Sequence, residues 1–382
     1  MSFNNRLYLW MKDFNSVERM NFVSYGMNSL FWLKKVPLKP QILNAAIHHW
    51  DPDLHVFRFG LQELCPTVEE FHALLGCKSH EQVVVPRQLI SPSKTLKDLL
   101  GLSLKDARDL VKGDELKVLD IIDKFQPNGD KNDKVYQSKR QIAICICLLA
   151  RFLLVSADGK FSPKLVDVAA QVVERKDFVP TVLAETLLGL DKVHSKASMS
   201  FAGSPLLLQM WLLDKVNLLE KVVIPKGRED YYAKYYAKSY DSRLIKYHDT
   251  AEGWKQWFST LTANDINWRC SRSVVPDMAI KNMNFKRMAI VGLTSFTFYI
   301  PCRFLRQLGN DQGLPPVELE PSFNPSLKSV SHYKKSWPSR QKLAKKEAFN
   351  SGLEERYVEW LEEEIKEKAE KEGTDTLKRK RT

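Results

Sequence analysis

Residues 45–80 carry the pattern that most constrains the fold, AAIHHWDPDLHVFRFGLQELCPTVEEFHALLGCKSH. Just before them, Pro40 suits a first helical turn, and the apolar spacing that follows predicts a helix as far as Trp50. Asp51 precedes Pro52, and a residue before proline is disfavoured in the helical region. The helix is therefore expected to end there.

A strand period follows this helix. His55, Phe57 and Phe59 alternate with other side chains, so they are expected on one face of an extended segment. Gly60 favours a turn, and residues 61–65 can return as a second short strand. The pattern predicts a small β-hairpin.

The hairpin leads into a helix with a complete start and stop signal. Thr67 and Glu70 have the spacing of a capping box, in which each side chain accepts a hydrogen bond from the backbone amide of the other residue. Gly76 suits the left-handed residue that often ends a helix. The side of this helix expected to be buried consists of Val68, Phe71, His72 and Leu75.

Histidine is concentrated in the same stretch, which raises the question of a metal site. A zinc site needs four ligands that converge on one point. The predicted elements instead place the imidazoles on a strand and on different sides of two helices, and Cys77 with His80 is the only pair with ligand-like spacing. The sequence therefore predicts no metal and no cofactor, with the histidines buried and bonded or at the surface. The residues considered are His48, His49, His55, His72, His80, Cys65 and Cys77.

Composition bounds the rest of the chain. With 382 residues, 44% of them hydrophobic, the chain can bury a large core. Its net charge of +12 favours anionic partners. The first residues lack the pattern of a secretory signal, and the irregularly spaced cysteines suit free thiols in a reducing compartment.

Up to about residue 320, the remaining signals are helical. Residues 83–104 are predicted to be a connector and residues 125–133 a loop, with Ser103 and Asp109 as helix caps. The most apolar run, residues 142–155, falls short of the roughly 20 residues of a membrane span. It predicts a helix buried at the centre of a bundle.

Together these patterns predict a mainly α-helical fold with a small N-terminal β-hairpin and a charged, partly helical and partly disordered C-terminal tail. Residues 1–85 form the helix–hairpin–helix unit and residues 86–320 the helical remainder of the same domain. Residues 321–382 form a basic linker, a charged helix suited to a short coiled coil, and a basic end.

The order of motifs in residues 45–80 resembles an uncharacterised plant family found beside retrotransposon-derived sequences, itself distantly similar to the aminotransferase-like plant mobile domain. Further blocks at residues 182–190, 205–216, 264–269, 274–278 and 301–309 extend the resemblance over residues 25–320. The resemblance implies a nuclear role in transposon silencing or genome maintenance, with no established catalytic centre. The signature residues are Trp50, Asp51, Pro52, Phe57, Phe59, Gly60, Pro66, Thr67 and Glu70.

Two basic segments are candidate nucleic-acid contacts. Residues 228–249 combine six tyrosines with cations, which can stack on bases and meet phosphates. The alternative is that these tyrosines pack on the body while the lysines face water. Residues 321–346 contain seven bases and no acid. The candidates are Lys234, Lys238, Arg243, Lys246, Lys328, Lys334, Lys335, Arg340, Lys342, Lys345 and Lys346.

A last basic cluster resembles a nuclear import signal and consists of Lys378, Arg379, Lys380 and Arg381. It favours the nucleus over the cytoplasm. Sensitivity to salt and little sequence preference are expected of any nucleic-acid binding, and a membrane partner is not expected.

The chain contains no phosphate-binding loop, nucleophile elbow or zinc-protease motif. It is therefore predicted to be a non-enzymatic protein that binds protein or nucleic acid. The alternative is a catalytic remnant of a mobile element that uses metal-bound carboxylates, for which Asp120, Asp123 and Glu229 are possible ligands.

Overall fold

The described part of the chain is mainly α-helical, as the sequence predicted, with small antiparallel sheets. The computed structural model describes residues 3–77, 79–87, 89–113, 115–125, 133–156, 159–218, 248, 250–268, 278–280, 288–293, 295–315, 333, 337, 341–343 and 351–379. No helix within these ranges has the length and apolar character needed to cross a membrane.

Fourteen α-helices lie within the described residues. They are α1 (Phe3–Lys12), α2 (Ser16–Ser24), α3 (Leu30–Leu33), α4 (Pro40–Ile47), α5 (Val68–Leu75), α6 (Pro92–Leu100), α7 (Leu104–Leu110), α8 (Val118–Phe125), α9 (Lys134–Leu148), α10 (Lys164–Val173), α11 (Val179–His194), α12 (Pro205–Lys215), α13 (Ala251–Ser259) and α14 (Glu355–Arg379).

The strands pair over short distances. A three-stranded sheet has the order β1 (Trp50–Asp51), β2 (Val56–Phe59) and β3 (Gln62–Leu64). Three antiparallel pairs join β4 (Leu116–Lys117) to β5 (Lys160–Phe161), β6 (Met278–Ile280) to β9 (Gln341–Leu343), and β7 (Met288–Val291) to β8 (Phe296–Tyr299).

The N-terminal sheet corrects two sequence predictions. Helix α4 ends at Ile47 instead of continuing to Trp50, because Trp50 pairs with Phe57 as part of a third strand. The expected hairpin is therefore a three-stranded sheet. Asp51 turns the chain between β1 and β2, since its Oδ1 accepts hydrogen bonds from two backbone amides, those of Asp53 (3.0 Å) and Leu54 (3.2 Å).

Helix α5 confirms the predicted capping box and stop. The Thr67 hydroxyl accepts from the Glu70 amide at 3.2 Å, and the Glu70 carboxylate accepts from the Thr67 amide at 3.3 Å. Gly76 ends the helix with φ +63°. The predicted side, including His72, is buried, and so is the carboxylate of Glu70.

The predicted central helix is also confirmed. Residues 141–150 are all buried in α9 and in the π-helical turn Leu149–Leu153 that continues it. Helix α9 packs against α6, α8 and α10. Burial raises the pKa of both Cys145 and Cys147, so their thiols stay protonated within the core.

Two regions between residues 83 and 300 differ from the sequence prediction. The expected connector contains α6, and its first residues, Val83 to Val85, are buried against the body. Ser103 caps α7 as predicted, whereas Asp109 lies inside that helix. The apolar run at residues 288–300 is a β-hairpin, because short apolar runs do not distinguish a strand from a buried helix by period.

Close backbone packing joins α11 to the segment before α12. A Cβ on Gly203 would lie 2.5 Å from the backbone N of Thr186, closer than any real side chain approaches. Only glycine fits there. Helices α11 and α12 both pack on α5, the helix that follows the N-terminal sheet. The close contact at Gly203 therefore fixes the position of these two helices relative to each other.

Candidate functional site: a charged centre between the sheet and the C-terminal helix

The sheet presents three charged side chains at neighbouring positions. Arg58 on β2 lies opposite Glu63 on β3, and its Nε donates to Glu63 Oε1 at 2.9 Å. Its Nη1 lies 3.1 Å from Asp51 Oδ2 on β1. Both carboxylates are almost fully buried. Opposite charges on adjacent strands stabilise a sheet, here in a site largely shielded from water.

A second arginine, Arg303, binds the Glu63 carboxylate from a segment far along the chain. Arg303 lies in the short 3₁₀ helix Pro301–Arg303, and its Nη2 donates to Glu63 Oε1 at 2.5 Å and to Glu364 Oε2 at 2.8 Å. Its guanidinium stacks on the Trp360 ring, 4.7 Å from the centroid. Burial alone would lower the pKa of Arg303, but Glu63 and Glu364 raise it above its ordinary value.

Helix α14 completes this arrangement by laying one face against the sheet. Tyr357 donates to Glu63 Oε2 at 2.7 Å, and Glu364 accepts from Arg58 and Arg303. One turn further, Lys368 Nζ donates to Asp51 Oδ2 at 2.7 Å. Leu361, on the same face, is buried. Helical spacing therefore brings Tyr357, Glu364 and Lys368 of α14 onto the sheet.

We call the six charged residues of this arrangement the charged centre. Three are acids and three are bases, so their formal charges cancel: Asp51, Glu63, Glu364, Arg58, Arg303 and Lys368. Burial would raise the pKa of Asp51, but Lys368 and Arg58 lower it below its ordinary value. The centre is suited to holding α14 on the body.

Behind the sheet, a second ion pair lies in the core. Glu70 and Lys215 approach to 2.6 Å, with side chains only 3% and 1% exposed. Trp211 Nε1 donates to Glu70 at 2.7 Å, and Lys215 also donates to the Asn267 carbonyl at 3.3 Å. Glu70 of the predicted capping box is therefore also the acidic member of a buried ion pair.

Gln307 connects this pair to the chain beneath the sheet. Its side-chain oxygen accepts from the Cys65 amide at 2.8 Å, and its Nε2 donates to the Cys65 carbonyl at 2.9 Å. The same Nε2 lies 3.3 Å from both Glu70 oxygens. Nearby, Arg306 stacks over Trp268, 3.6 Å from the ring centroid. The 301–309 segment thus contacts β3 through Arg303 and Arg306, and Cys65 and Glu70 through Gln307.

His72 forms a third buried pair. Its Nε2 lies 3.0 Å from the carboxylate of Asp177, and its Nδ1 lies 2.9 Å from the Val68 carbonyl. Burial would lower the pKa of His72, but Asp177 raises it above 6.5. Burial would raise the pKa of Asp177, but His72 lowers it. The imidazole therefore joins α5 to the start of α11.

His55 has a different set of partners. It adopts a positive φ of 53°, which is uncommon for a residue with a side chain. Its Nε2 lies 3.1 Å from Asp191, which also accepts from Trp50 Nε1 at 2.8 Å, and its Nδ1 contacts the Phe298 carbonyl. The ring stacks on Trp50. These contacts connect the N-terminal sheet to the β7–β8 hairpin.

The other histidines do not converge. His49 is half-buried and lies 3.0 Å from the Lys255 carbonyl. His48 and His80 are exposed. Among the residues that the structure describes, no three His, Cys, Asp or Glu side chains are grouped so that they could hold a metal ion.

The comparison with protein families decides what kind of chain this is. The model of a domain of unknown function, DUF7745, matches residues 11–366. The chain belongs to the DUF7745 family. No curated protein and no solved structure matches it.

The DUF7745 match extends beyond residues 25–320, the range of the sequence resemblance, at both ends. It includes the first half of α14 and therefore most of the helix face on the charged centre. It supports the expectation of an uncharacterised family, and it carries no link to the plant mobile domain or to transposons.

The signature residues of the resemblance all lie in or beside these buried contacts. Asp51 belongs to the charged centre, and Thr67 and Glu70 form the cap above Lys215. The remaining signature residues surround them in the sheet and its turns: Trp50, Pro52, Phe57, Phe59, Gly60 and Pro66. In this structure, the contacts of Asp51, Thr67 and Glu70 hold the N-terminal unit together.

Most of the predicted nucleic-acid contacts lie outside the described residues. These are Lys234, Lys238, Arg243, Lys246, Lys328, Lys334, Lys335, Arg340, Lys345 and Lys346. Lys342 lies on β9, and Lys378 and Arg379 are the last residues of α14. Lys380 and Arg381 of the candidate import cluster also lie outside.

Sequence reasoning did not identify the bases of the charged centre, nor Lys215 and Gln307 behind the sheet. A signal was present, since Lys215 lies in the 205–216 block and Arg303 and Gln307 lie in the 301–309 block of the resemblance. Polar residues inside otherwise apolar blocks indicate buried partners, because buried charges are almost always paired. The identity of each partner required the structure.

Proposed function

We propose that this DUF7745 protein is a non-catalytic nuclear protein that binds nucleic acid. Because the plant family that its motif order resembles is distantly similar to the plant mobile domain, we infer that it derives from a transposon and acts in transposon silencing or genome maintenance. A protein ligand is the alternative, and the pull-down below distinguishes the two.

The observation that supports this proposal is how the charges are distributed. The three acids and three bases of the charged centre cancel, and so do Glu70 and Lys215. They contribute nothing to the net charge of +12. The positive excess therefore belongs to other parts of the chain, and residues 321–346 alone carry seven bases without an acid. Such an excess favours polyanions through counterion release.

A salt series on DNA binding tests the proposal. With four to six phosphate contacts, log K should fall against log salt with a slope of about −4 to −5. Replacing the seven bases of residues 321–346 by glutamine should reduce that slope. Substitution is preferable to deleting the C-terminal part, because a deletion would also remove Tyr357, Glu364 and Lys368 from the charged centre.

Two results would count against nucleic-acid binding. One is the absence of measurable binding to DNA and RNA at low salt. The other is a pull-down from plant nuclei in which the same protein partners remain after nuclease treatment, which would support the protein ligand. A divalent-metal-dependent nuclease assay with Asp120 and Asp123 replaced in turn tests the catalytic alternative.

A further inference from the structure

A group of cations that the sequence analysis did not single out lies where α1, α3 and the π-helical turn meet. Lys12 ends α1, Lys34 and Lys35 follow α3, and Arg151 lies in the π-helical turn Leu149–Leu153. We call these four residues the basic corner. Lys12 and Lys35 are exposed, and Lys34 and Arg151 are half-buried.

Aromatic rings hold two of these ammonium groups in place. Lys34 Nζ lies 4.4 Å from the centroid of the Tyr8 ring, and Lys35 Nζ lies 5.4 Å from the centroid of the Trp32 ring. Both distances are within the range of cation–π attraction. Both rings are partly buried against the core. The rings therefore position positive charge at the surface before any ligand binds.

Among the residues with a described placement, no acid pairs with a lysine of the corner. In the part of the chain that the structure describes, Lys12, Lys34 and Lys35 form no ion pair. Asp13, next to Lys12 in the sequence, lies 3.0 Å from Arg140 instead. This pattern is the opposite of the charged centre, where every base has a carboxylate.

The cations also act on one another. Burial lowers the pKa of Lys34, and the ammonium groups of Lys35 and Lys12 lower it further. Burial raises the pKa of Tyr8, while the nearby Arg151 opposes that rise. The three lysines thus share one region of positive potential, and a bound polyanion would relieve their repulsion.

We propose that the basic corner binds the phosphate backbone of nucleic acid, a proposal that rests on the proposed function. Phosphates repeat along a strand, so they can supply a negative charge to each of the three lysines, which form no ion pair with a described residue. The ammonium groups lie over the rings of Tyr8 and Trp32, which favours phosphate contact over base stacking. Binding at the corner is therefore expected to show little sequence preference.

The test compares two triple variants of the full chain with equal charge. One is Lys12→Gln/Lys34→Gln/Lys35→Gln. The matched control is Lys94→Gln/Lys97→Gln/Lys105→Gln, which replaces three exposed lysines that form no ion pair with any described residue. Affinity for a short labelled DNA duplex and for a labelled single-stranded RNA is measured over a salt series, after thermal unfolding has verified that both variants fold.

For the corner variant, the slope of log K for duplex binding against log salt should become shallower by about 2 to 3. Its affinity at 0.1 M salt should fall on the order of 100-fold. The control should stay within a few-fold of the wild type. A third variant, Lys12→Arg/Lys34→Arg/Lys35→Arg, keeps the charge and should restore binding.

Equal losses in the corner variant and the control would overturn the proposal, because general charge would then account for both. Unchanged binding by the corner variant would overturn it while leaving the proposed function intact. Failure of the wild type to bind nucleic acid would overturn the proposed function as well. A corner variant that loses binding only to phosphatidylserine vesicles or an acidic peptide would assign the corner to that ligand and overturn the proposal.

Discussion

The charged centre and the basic corner contain the same kinds of cation in opposite settings. In the centre, Arg303 has a side chain only 4% exposed and lies between two carboxylates. At the corner, Lys35 is exposed and lies over an aromatic ring, and it pairs with no acid among the described residues. A count of lysines and arginines cannot separate these settings. The presence of a carboxylate partner indicates whether a cation serves the fold or is available to a ligand.

The two settings differ in what a substitution should cost. Removal of one partner of a buried pair leaves the other charge without water or a counterion, which is strongly destabilising. A surface cation keeps its hydration, so its removal has little effect on folding but weakens the binding of an anion. Stability and binding measurements should therefore divide the cations of this protein into two groups.

The largest effect is expected from Lys215→Met in the core pair. The substitution leaves Glu70 as a buried carboxylate, so the free energy of unfolding should fall by about 3–5 kcal/mol. Urea unfolding followed by fluorescence measures the change. Methionine is chosen because its apolar side chain is close to lysine in size and so avoids a large cavity.

The double variant Glu70→Gln/Lys215→Met is the control for this prediction. Because it removes both charges, it should be more stable than Lys215→Met alone. A single variant as stable as the wild type would contradict the prediction that an unpaired carboxylate is left in the core. The expected difference in stability cost between buried, paired cations and exposed ones would then lose its strongest case.

A smaller loss is expected where α14 contacts the sheet. Tyr357→Phe removes the hydrogen bond to the Glu63 carboxylate and should cost about 1.5–3 kcal/mol. Tyr136→Phe is the matched control, because its hydroxyl donates to the neutral Phe125 carbonyl and should contribute about 0.5–1.5 kcal/mol. Equal losses in the two variants would mean that the charge of Glu63 adds nothing to the attachment of α14.

What the sequence could predict depended on separation along the chain. The Thr67–Glu70 capping box spans three residues, and the central helix carries its own apolar pattern, so both follow from local physics. The pairs of the charged centre do not, since Arg303 and Glu63 are 240 residues apart. No local rule selects one carboxylate among the chain's 46 acids as the partner of Arg303.

The errors have physical causes as well. Trp50 continued the helical period of α4, but pairing with Phe57 outweighed that local preference. The charged pattern of α14 is typical of a solvated helix, and nothing in it indicates that Glu364 and Lys368 meet the sheet. The basic corner was missed because its cations come from three separate segments.

The buried His72–Asp177 pair predicts a pH dependence. The raised pKa of His72 means that its contribution is fully present below pH 6.5 and is lost as pH rises through the folded-state value. The lowered pKa of Asp177 means that its contribution is present above pH 3.8 and is lost as pH falls through the folded-state value. Both contributions are therefore present between pH 3.8 and 6.5.

Urea unfolding at pH values on either side of 6.5 measures this loss. The free energy of unfolding of the wild type should decline as pH rises, and Asp177→Asn should remove most of the decline. His80→Gln, which replaces an exposed imidazole nearby, should keep the wild-type profile. An identical decline in Asp177→Asn would show that another group carries the pH dependence.

The smallest effect is expected at the basic corner. Lys35→Gln loses a cation–π contact but relieves the repulsion between Lys35 and Lys34, so the two changes oppose each other. The free energy of unfolding should therefore change by no more than about 0.5 kcal/mol.

The remaining difference between the wild type and Lys35→Gln should depend on salt, because ions screen repulsion between exposed charges. As salt is added, the wild type should gain stability relative to Lys35→Gln. The control is Lys94→Gln, and the stability difference between it and the wild type should not change in this way. A loss from Lys35→Gln as large as that from Tyr357→Phe would mean that the corner, like the centre, serves the fold.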